Sequence, residues 1–306
     1  MRSEEAIVAR LSGASAASRA ERIQSLWSGY GEVVRYQLTG ADRGSVVVKH
    51  VRPGKGGGRS HDRKLRSYEV EQAWYRDWSD RCGETCRVPQ CLHVEKQGGE
   101  WLFVLEDLDA SGFAGRKRSL SDRQLESCLR WLASFHATFL GERPRGLWKT
   151  GTYWHLKTRP DEHRSMARGP LREAAATLDE RLRNARFQTL VHGDAKPANF
   201  CFSSDGKRVA AVDFQYVGGG CGMKDVAYLL TGEDRRATER GLQVYFQGLR
   251  AAVRGSDVDA DALEAEWRAL FPVAWADFQR FLSGWAPDWR IHPHGQAMTR
   301  KVLANL

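Results

Sequence analysis

His192-Gly193-Asp194-Ala195-Lys196-Pro197-Ala198-Asn199 and, fourteen residues beyond Asn199, Asp213 within Val212-Asp213-Phe214-Gln215 are the stretches on which the fold turns. Short apolar runs, Thr189 to Val191 and Val209 to Val212, read as strands that fix the separation between them. The chemistry is compact: two carboxylates, one amide oxygen and one ammonium. Hard oxygens of this kind suit a divalent cation, and a carboxylate beside them suits a hydroxyl proton.

Phosphoryl transfer asks little covalent work of a protein. It needs a group that orients the acceptor hydroxyl, ligands for a metal that neutralises phosphate oxygens, and cations that hold the donor. Residues 192 to 199 have the H-x-D-x-x-x-x-N spacing of a kinase catalytic loop, and Asp213 stands where the magnesium-binding Asp-Phe-Gly segment does. The spacing predicts that Asp194 aligns or accepts the acceptor proton, that Asn199 and Asp213 are Mg2+ ligands, and that Lys196 contacts the transferring phosphate. A lone D-x-x-x-x-N is common by chance. The flanking strands and the second aspartate make this one specific.

Toward the N-terminus, Val33 to Leu38 and Ser45 to Val51 are rich in β-branched residues and enclose a glycine-bearing turn, which predicts a hairpin. The turn from Gly40 to Ser45 is expected to cover the phosphates of ATP, and Lys49 to pair with them. Glu71, on a helix predicted between His61 and Arg81, is expected to hold Lys49, with Glu69 as the competing partner. Val88 to Val94 and Glu100 to Leu105 read as two more strands. They end in Leu105-Glu106-Asp107-Leu108, a join between lobes where backbone groups read adenine edges and apolar side chains sandwich the ring. Residues 5 to 28 have helical spacing and predict one or two short helices. Pro53 to Ser60 contains four glycines but lacks the order of a phosphate loop, so it reads as a connector.

Beyond the join, Ser121 and Gln124 form a capping box, and Leu125, Cys128, Leu129, Leu132, Phe135 and Phe139 recur on one helical face. His136 shares that face and reads as a buried structural histidine. From Lys224 onward the pattern is helical. These elements predict an α+β, bilobal, protein-kinase-like fold. Its small antiparallel-sheet N-lobe spans 1–105 with a helical extension, its mostly helical C-lobe spans 106–306, and a hinge lies at 105–110.

Composition narrows the alternatives. The 306 residues carry 47 Lys and Arg against 38 Asp and Glu, a formal charge of +9, but the basic residues are scattered and form no nucleic-acid stripe. Six cysteines lack zinc-like spacing and read as reduced thiols. No apolar run approaches the ~18 residues that span a bilayer, and no secretory h-region precedes the fold, so a cytoplasmic protein is expected.

Together these segments make the chain resemble the aminoglycoside phosphotransferase and choline kinase superfamily, and within it most closely the ecdysteroid-kinase-like branch. Ser67 to Tyr75, Val104 to Leu108 with Gly112-Phe113, His192 to Phe200, and Val212 to Gln215 with Asp225 to Tyr228 carry the resemblance. It implies an ATP- and Mg2+-dependent kinase with a small-molecule hydroxyl acceptor, and makes Asp225 a brace for the catalytic loop. His-Gly-Asp in place of His-Arg-Asp, with no activation segment before Asp225, separates the group from kinases that act on proteins. For a cationic acceptor, Glu264, Glu266, Asp277 and Asp288 beside Trp267, Trp275, Trp285 and Trp289 are the candidate contacts. A sugar or steroid-like alcohol wants the indole faces without the acids.

Overall fold

In β3 (Ser45–Val51) successive side chains alternate between the two faces of a sheet, so Val46 and Val48 turn one way and Val47 and Lys49 the other. The sheet is antiparallel throughout. Its order is β1 (Ala16–Ser25), β2 (Gly31–Thr39), β3, β5 (Glu100–Glu106), β4 (Cys91–Gln97). On one face, Val8 of helix α1 (Glu4–Leu11) joins Val34, Tyr36, Val46, Val48, Leu102 and Val104 in a core. On the other, α2 (Arg59–Asp77) brings Tyr68 to 5.7 Å from Trp101 and Tyr75 to 6.1 Å from Phe103, ring to ring. Burial of apolar area on both faces holds the sheet between two helices.

The computed structural model describes residues 3–306. They divide into two compact units, one running to Arg116 and including Cys201–Val212, the other made of Lys117–Phe200 and Asp213–Leu306. A three-stranded sheet, β6 (Gly115–Arg116), β8 (Phe200–Phe202) and β9 (Val209–Ala211), has the order β6-β8-β9. Leu108, Phe113, Cys201 and Ala210 form the small core that ties this hairpin into the first unit.

The helical spacing of residues 5 to 28 holds only for α1. Ala16–Ser25 is instead an edge strand paired with β2, with register shifts between Arg19 and Glu21 and between Arg22 and Gln24. Its side chains are almost all exposed and its apolar residues do not alternate, so no strand pattern marks it, and pairing with β2 overrides local pattern. The strand expected from Val88 begins later, at Cys91.

In the second unit, α3 (Asp122–Thr138) starts at the capping box of Ser121 and Gln124 and packs against α8 (Arg235–Ala252). Residues 141 to 188 contain three short helices, α4 (Pro160–Ser165), α5 (Pro170–Glu173) and α6 (Ala175–Arg183). β7 (Thr189–Val191) pairs with β10 (Gly218–Gly220), a strand too glycine-rich to signal itself. The chain closes with α7 (Met223–Leu229), α9 (Ala260–Trp285) and α10 (Pro293–Leu303) around the buried rings of Trp267, Phe271, Trp275 and Phe278. Among the described residues no helix is long and apolar enough to cross a membrane, all six cysteines are free, and no three His, Cys, Asp or Glu side chains gather as a metal group.

Candidate active site

The loop after β7 is held by its backbone. Asp225 Oδ2 accepts the His192 N–H at 2.6 Å and Oδ1 accepts the Gly193 N–H at 2.9 Å, both at zero exposure of the aspartate. His136, buried as expected, bonds Asp225 Oδ2 at 3.2 Å and the Tyr245 hydroxyl at 2.7 Å, which fixes the carboxylate from behind. Gly193 has φ +81°, and a Cβ there would lie 2.1 Å from the Tyr216 carbonyl oxygen. Only glycine fits, which is the physical reason for His-Gly-Asp.

This backbone delivers Asp194 to the centre of a bonded set. Its Oδ2 accepts from Lys196 Nζ at 2.8 Å and from Asn199 Nδ2 at 3.0 Å, while Oδ1 receives a longer 3.4 Å contact from the Tyr228 hydroxyl. Asn199 Nδ2 also donates to the Asp194 carbonyl at 2.8 Å, and a 3-10 turn over Pro197–Asn199 sets that geometry. Burial raises the Asp194 carboxyl to about 6; the Lys196 ammonium opposes the shift and the nearby charge of Asp213 adds to it. For Lys196 burial pulls the other way, but the Asp194 carboxylate outweighs it and the ammonium is raised.

Asp213 has φ +68°, a left-handed conformation that non-glycine residues seldom adopt and that collects at functional sites. The donor set fits a hard divalent cation. Asn199 spends its amide nitrogen on Asp194, which leaves its Oδ1 without a hydrogen bond among the described residues, and Asp213 supplies a carboxylate. Two such oxygens suit Mg2+, which keeps its remaining positions for water and phosphate.

The first unit holds the other expected residues. Lys49 Nζ pairs with Glu71 Oε2 at 2.6 Å and Oε1 at 2.9 Å, with the two side chains only 9% and 2% exposed. Glu69 lies at the surface with Lys96 and Arg66, so the helix presents Glu71 to Lys49. The Lys49 ammonium also sits 5.6 Å over the Tyr68 ring and 5.8 Å over Phe103.

Ser45 and the 105–108 segment are more tightly tied than spacing suggests. Ser45 Oγ donates to Asp107 Oδ2 at 2.7 Å, where Arg35 Nε also donates at 2.7 Å. Glu106 accepts from Arg87, Ser111 Oγ and the Gln90 N–H. Leu105 and Leu108 are buried, Leu108 within the hairpin core. Arg35, Asp107 and Tyr228 belong to these networks although the motifs assign them no role. For Tyr228 a signal existed: it follows Asp225 by three residues and so shares its helical face.

Three of the four acids considered for a cation, Glu264, Glu266 and Asp277, are engaged within the protein, while Asp288 is exposed. Glu264 is bound to Arg250 and Arg268, Glu266 accepts the Arg186 and Phe187 N–H groups, and Asp277 is buried against Arg280. Trp267 and Trp275 are core residues, and only Trp285 and Trp289 of the four indoles are exposed.

An H-x-D-x-x-x-x-N loop braced by a following helix, with eleven residues separating Asp213 from Asp225 and no peptide-binding segment between them, defines a small-molecule phosphotransferase. The chain belongs to the phosphotransferase enzyme family (APH), whose model matches residues 22–270. Among solved structures it is similar to a microcompartment-associated aminopropanol kinase, at 18% identity and TM-score 0.54, covering 94% of this chain and 89% of that one. It is similar to the amicoumacin kinase hAmiN in complex with AMP-PNP, Ca2+ and Ami, at 16% identity and TM-score 0.55, covering 93% and 87%. A third is the Plasmodium vivax ethanolamine kinase, at 10% identity and TM-score 0.52, covering 93% and 81%. These likenesses establish the protein-kinase-like fold. No match is found among curated proteins.

Proposed function

We propose that this phosphotransferase moves the γ-phosphate of ATP to a hydroxyl of a small molecule, with Mg2+ held by Asn199 and Asp213. One observation carries the reading. Asp194 Oδ2 is occupied by Lys196 and Asn199, and Oδ1 faces only the long contact from Tyr228, so one carboxylate oxygen is poised to take a proton. Asp194 accepts the acceptor proton as the acceptor oxygen bonds to phosphorus and the bond to the β-phosphate breaks, releasing ADP. Lys196 steadies the transferring phosphoryl group. The metal, when bound, neutralises charge on the phosphate oxygens.

On the donor side, Lys49 held by Glu71 is the cation for the ATP phosphates, and the Ser45 turn covers them. Leu105, Glu106 and Leu108 frame the adenine through the backbone, since the Ser45 and Glu106 side chains are already bonded within the protein. The segments quoted for the resemblance support a place in the ecdysteroid-kinase-like branch. Six free thiols and the use of ATP support a cytoplasmic setting.

A transfer screen from ATP and Mg2+ to amino alcohols, aminoglycosides, amino sugars, sugars and sterols, with Asp194→Ala as control, tests the reading. Transfer to at least one class by the wild type and none by the variant is expected. Equal transfer by both contradicts it.

A further inference from the structure

Gly193, which directly precedes Asp194, is gripped at both of its peptide groups. Asp225 accepts its N–H, and its carbonyl oxygen accepts the Tyr153 N–H at 3.0 Å. A Cβ on Gly193 would also lie 2.8 Å from the Thr152 nitrogen, so the Thr152–Tyr153 backbone lies directly against the loop. The direction of the Gly193 carbonyl sets the plane of the peptide bond that leads into Asp194. Residues 152 and 153 therefore help to set where the Asp194 carboxylate points.

That backbone is strained. Thr152 has φ +89°, a conformation that a β-branched residue keeps only where its surroundings over-determine it. Its hydroxyl is buried without a hydrogen bond, so the side chain does not supply the hold. Backbone bonds supply part of it: the Thr152 N–H donates to the Tyr216 carbonyl at 3.1 Å, and the Gly151 N–H to the Gly219 carbonyl of β10 at 2.8 Å. Beyond Thr152, two guanidinium groups take consecutive carbonyls. Arg159 Nε donates to the Tyr153 carbonyl at 3.0 Å, but it lies six residues along the same segment and ties that segment only to itself. Arg280 Nη2 donates to the Trp154 carbonyl at 3.0 Å from α9, 126 positions away. Arg280 is fully buried, and its Nε donates to Asp277 Oδ1 at 3.0 Å. Asp277 Oδ2 in turn faces the buried ammonium of Lys224, the residue before Asp225, at 3.8 Å. Buried charges of this kind contribute little net stability compared with packed apolar residues, and what they do supply is a fixed direction.

We propose, resting on the function assigned above, that Arg280 is a positioning residue for Asp194. It holds the Trp154 carbonyl to α9, which keeps the Tyr153 N–H on the Gly193 carbonyl and so aims the carboxylate that takes the acceptor proton. Arg280 touches no reacting atom. The cation for the donor phosphates, Lys49, belongs to the other unit, so a change at Arg280 falls on the transfer rate and not on nucleotide affinity.

Single-turnover transfer from γ-labelled ATP and Mg2+, to whichever acceptor of the screen reacts fastest, tests this in a double-mutant cycle with Asp194→Ala. Arg280→Lys keeps a cation beside Asp277 but cannot reach Asp277 and Trp154 together through one planar group. It is expected to lower the rate at least about tenfold, as a misaimed catalytic group does, with ATP affinity within about twofold. In the Asp194→Ala background the same change is expected to alter the residual rate less than about twofold, because its effect passes through Asp194. Thr152→Gly places at φ +89° a residue that accepts it. Its thermal midpoint is expected to stay close to wild type, since relieved strain offsets added chain entropy, while the rate falls several-fold, again only with Asp194 present. An equal loss from Arg280→Lys in both backgrounds marks Arg280 as structural and overturns the inference. So does a wild-type rate in Thr152→Gly, which decides alone if Arg280→Lys does not fold. Either result leaves the phosphotransferase reading standing, whereas absence of Asp194-dependent transfer to every acceptor overturns both.

Discussion

The Asp225 carboxylate spans two consecutive backbone N–H groups, taking His192 on Oδ2 at 2.6 Å and Gly193 on Oδ1 at 2.9 Å. One side chain on α7 thus fixes the loop that carries Asp194. Asp225→Asn replaces one acceptor oxygen with an NH2 group that faces an N–H donor. With both bonds to a charged group impaired, unfolding stability is expected to drop by about 3 kcal/mol in urea denaturation. Loss of kcat should accompany it, with nucleotide affinity changed far less.

Gly193 makes the same point sterically. Gly193→Ala forces a Cβ against the Tyr216 carbonyl at φ +81° and is expected to cost at least about 3 kcal/mol. Gly83→Ala, where nothing lies within 4 Å, is the comparison, expected to stay within about 0.5 kcal/mol. Thermal unfolding of the two variants measures the contrast.

Lys49 and Glu71 separate stability from activity. Lys49→Met leaves Glu71 buried without its cation and is expected to destabilise by about 3 to 5 kcal/mol. Adding Glu71→Leu removes the stranded charge and restores much of the stability, since a buried ion pair and a packed apolar pair are often close in energy. Transfer activity stays lost in both. Recovery of activity in the double variant would show that Lys49 does not hold the donor.

Glu4 should contribute to acid lability, as should Asp179, whose carboxyl is also held down to about 2. For Glu4, the hydrogen bond with His50, then those with Tyr36 and Arg52, outweigh burial and hold the carboxyl down to about 2 from 4.5. A folded value below the unfolded one means the stabilisation is complete above about 4.5 and disappears as pH falls through about 2. Glu4→Gln is therefore expected to unfold more easily than wild type at pH 7, with the gap closing at pH 2 in denaturant titrations.

Legibility in the sequence followed how local each cause was. The Ser45–Val51 strand and the helix begun by Ser121 and Gln124 were readable because alternation and capping are written into neighbouring residues. The Asp194, Lys196 and Asn199 set was readable because its spacing is fixed within eight residues, and the structure brings the three together. The edge strand Ala16–Ser25 was not, because its pairing to β2 leaves no apolar trace in its own residues. The Arg35–Asp107–Ser45 network joins residues up to 72 positions apart, and no local pattern announces it. The acids of α9 misled for the same reason: their partners, such as Arg250 and the Arg186 N–H, lie on other segments.

Whether Asp194 takes the acceptor proton during phosphoryl transfer is measured by single-turnover transfer from γ-labelled ATP. Wild type and Asp194→Ala are compared at saturating Mg2+ on an acceptor found by the screen, with nucleotide affinity measured in parallel. A rate lower by about 10²- to 10⁴-fold is expected in the variant, with ATP affinity essentially retained. A variant that transfers phosphate at the wild-type rate contradicts that role of Asp194.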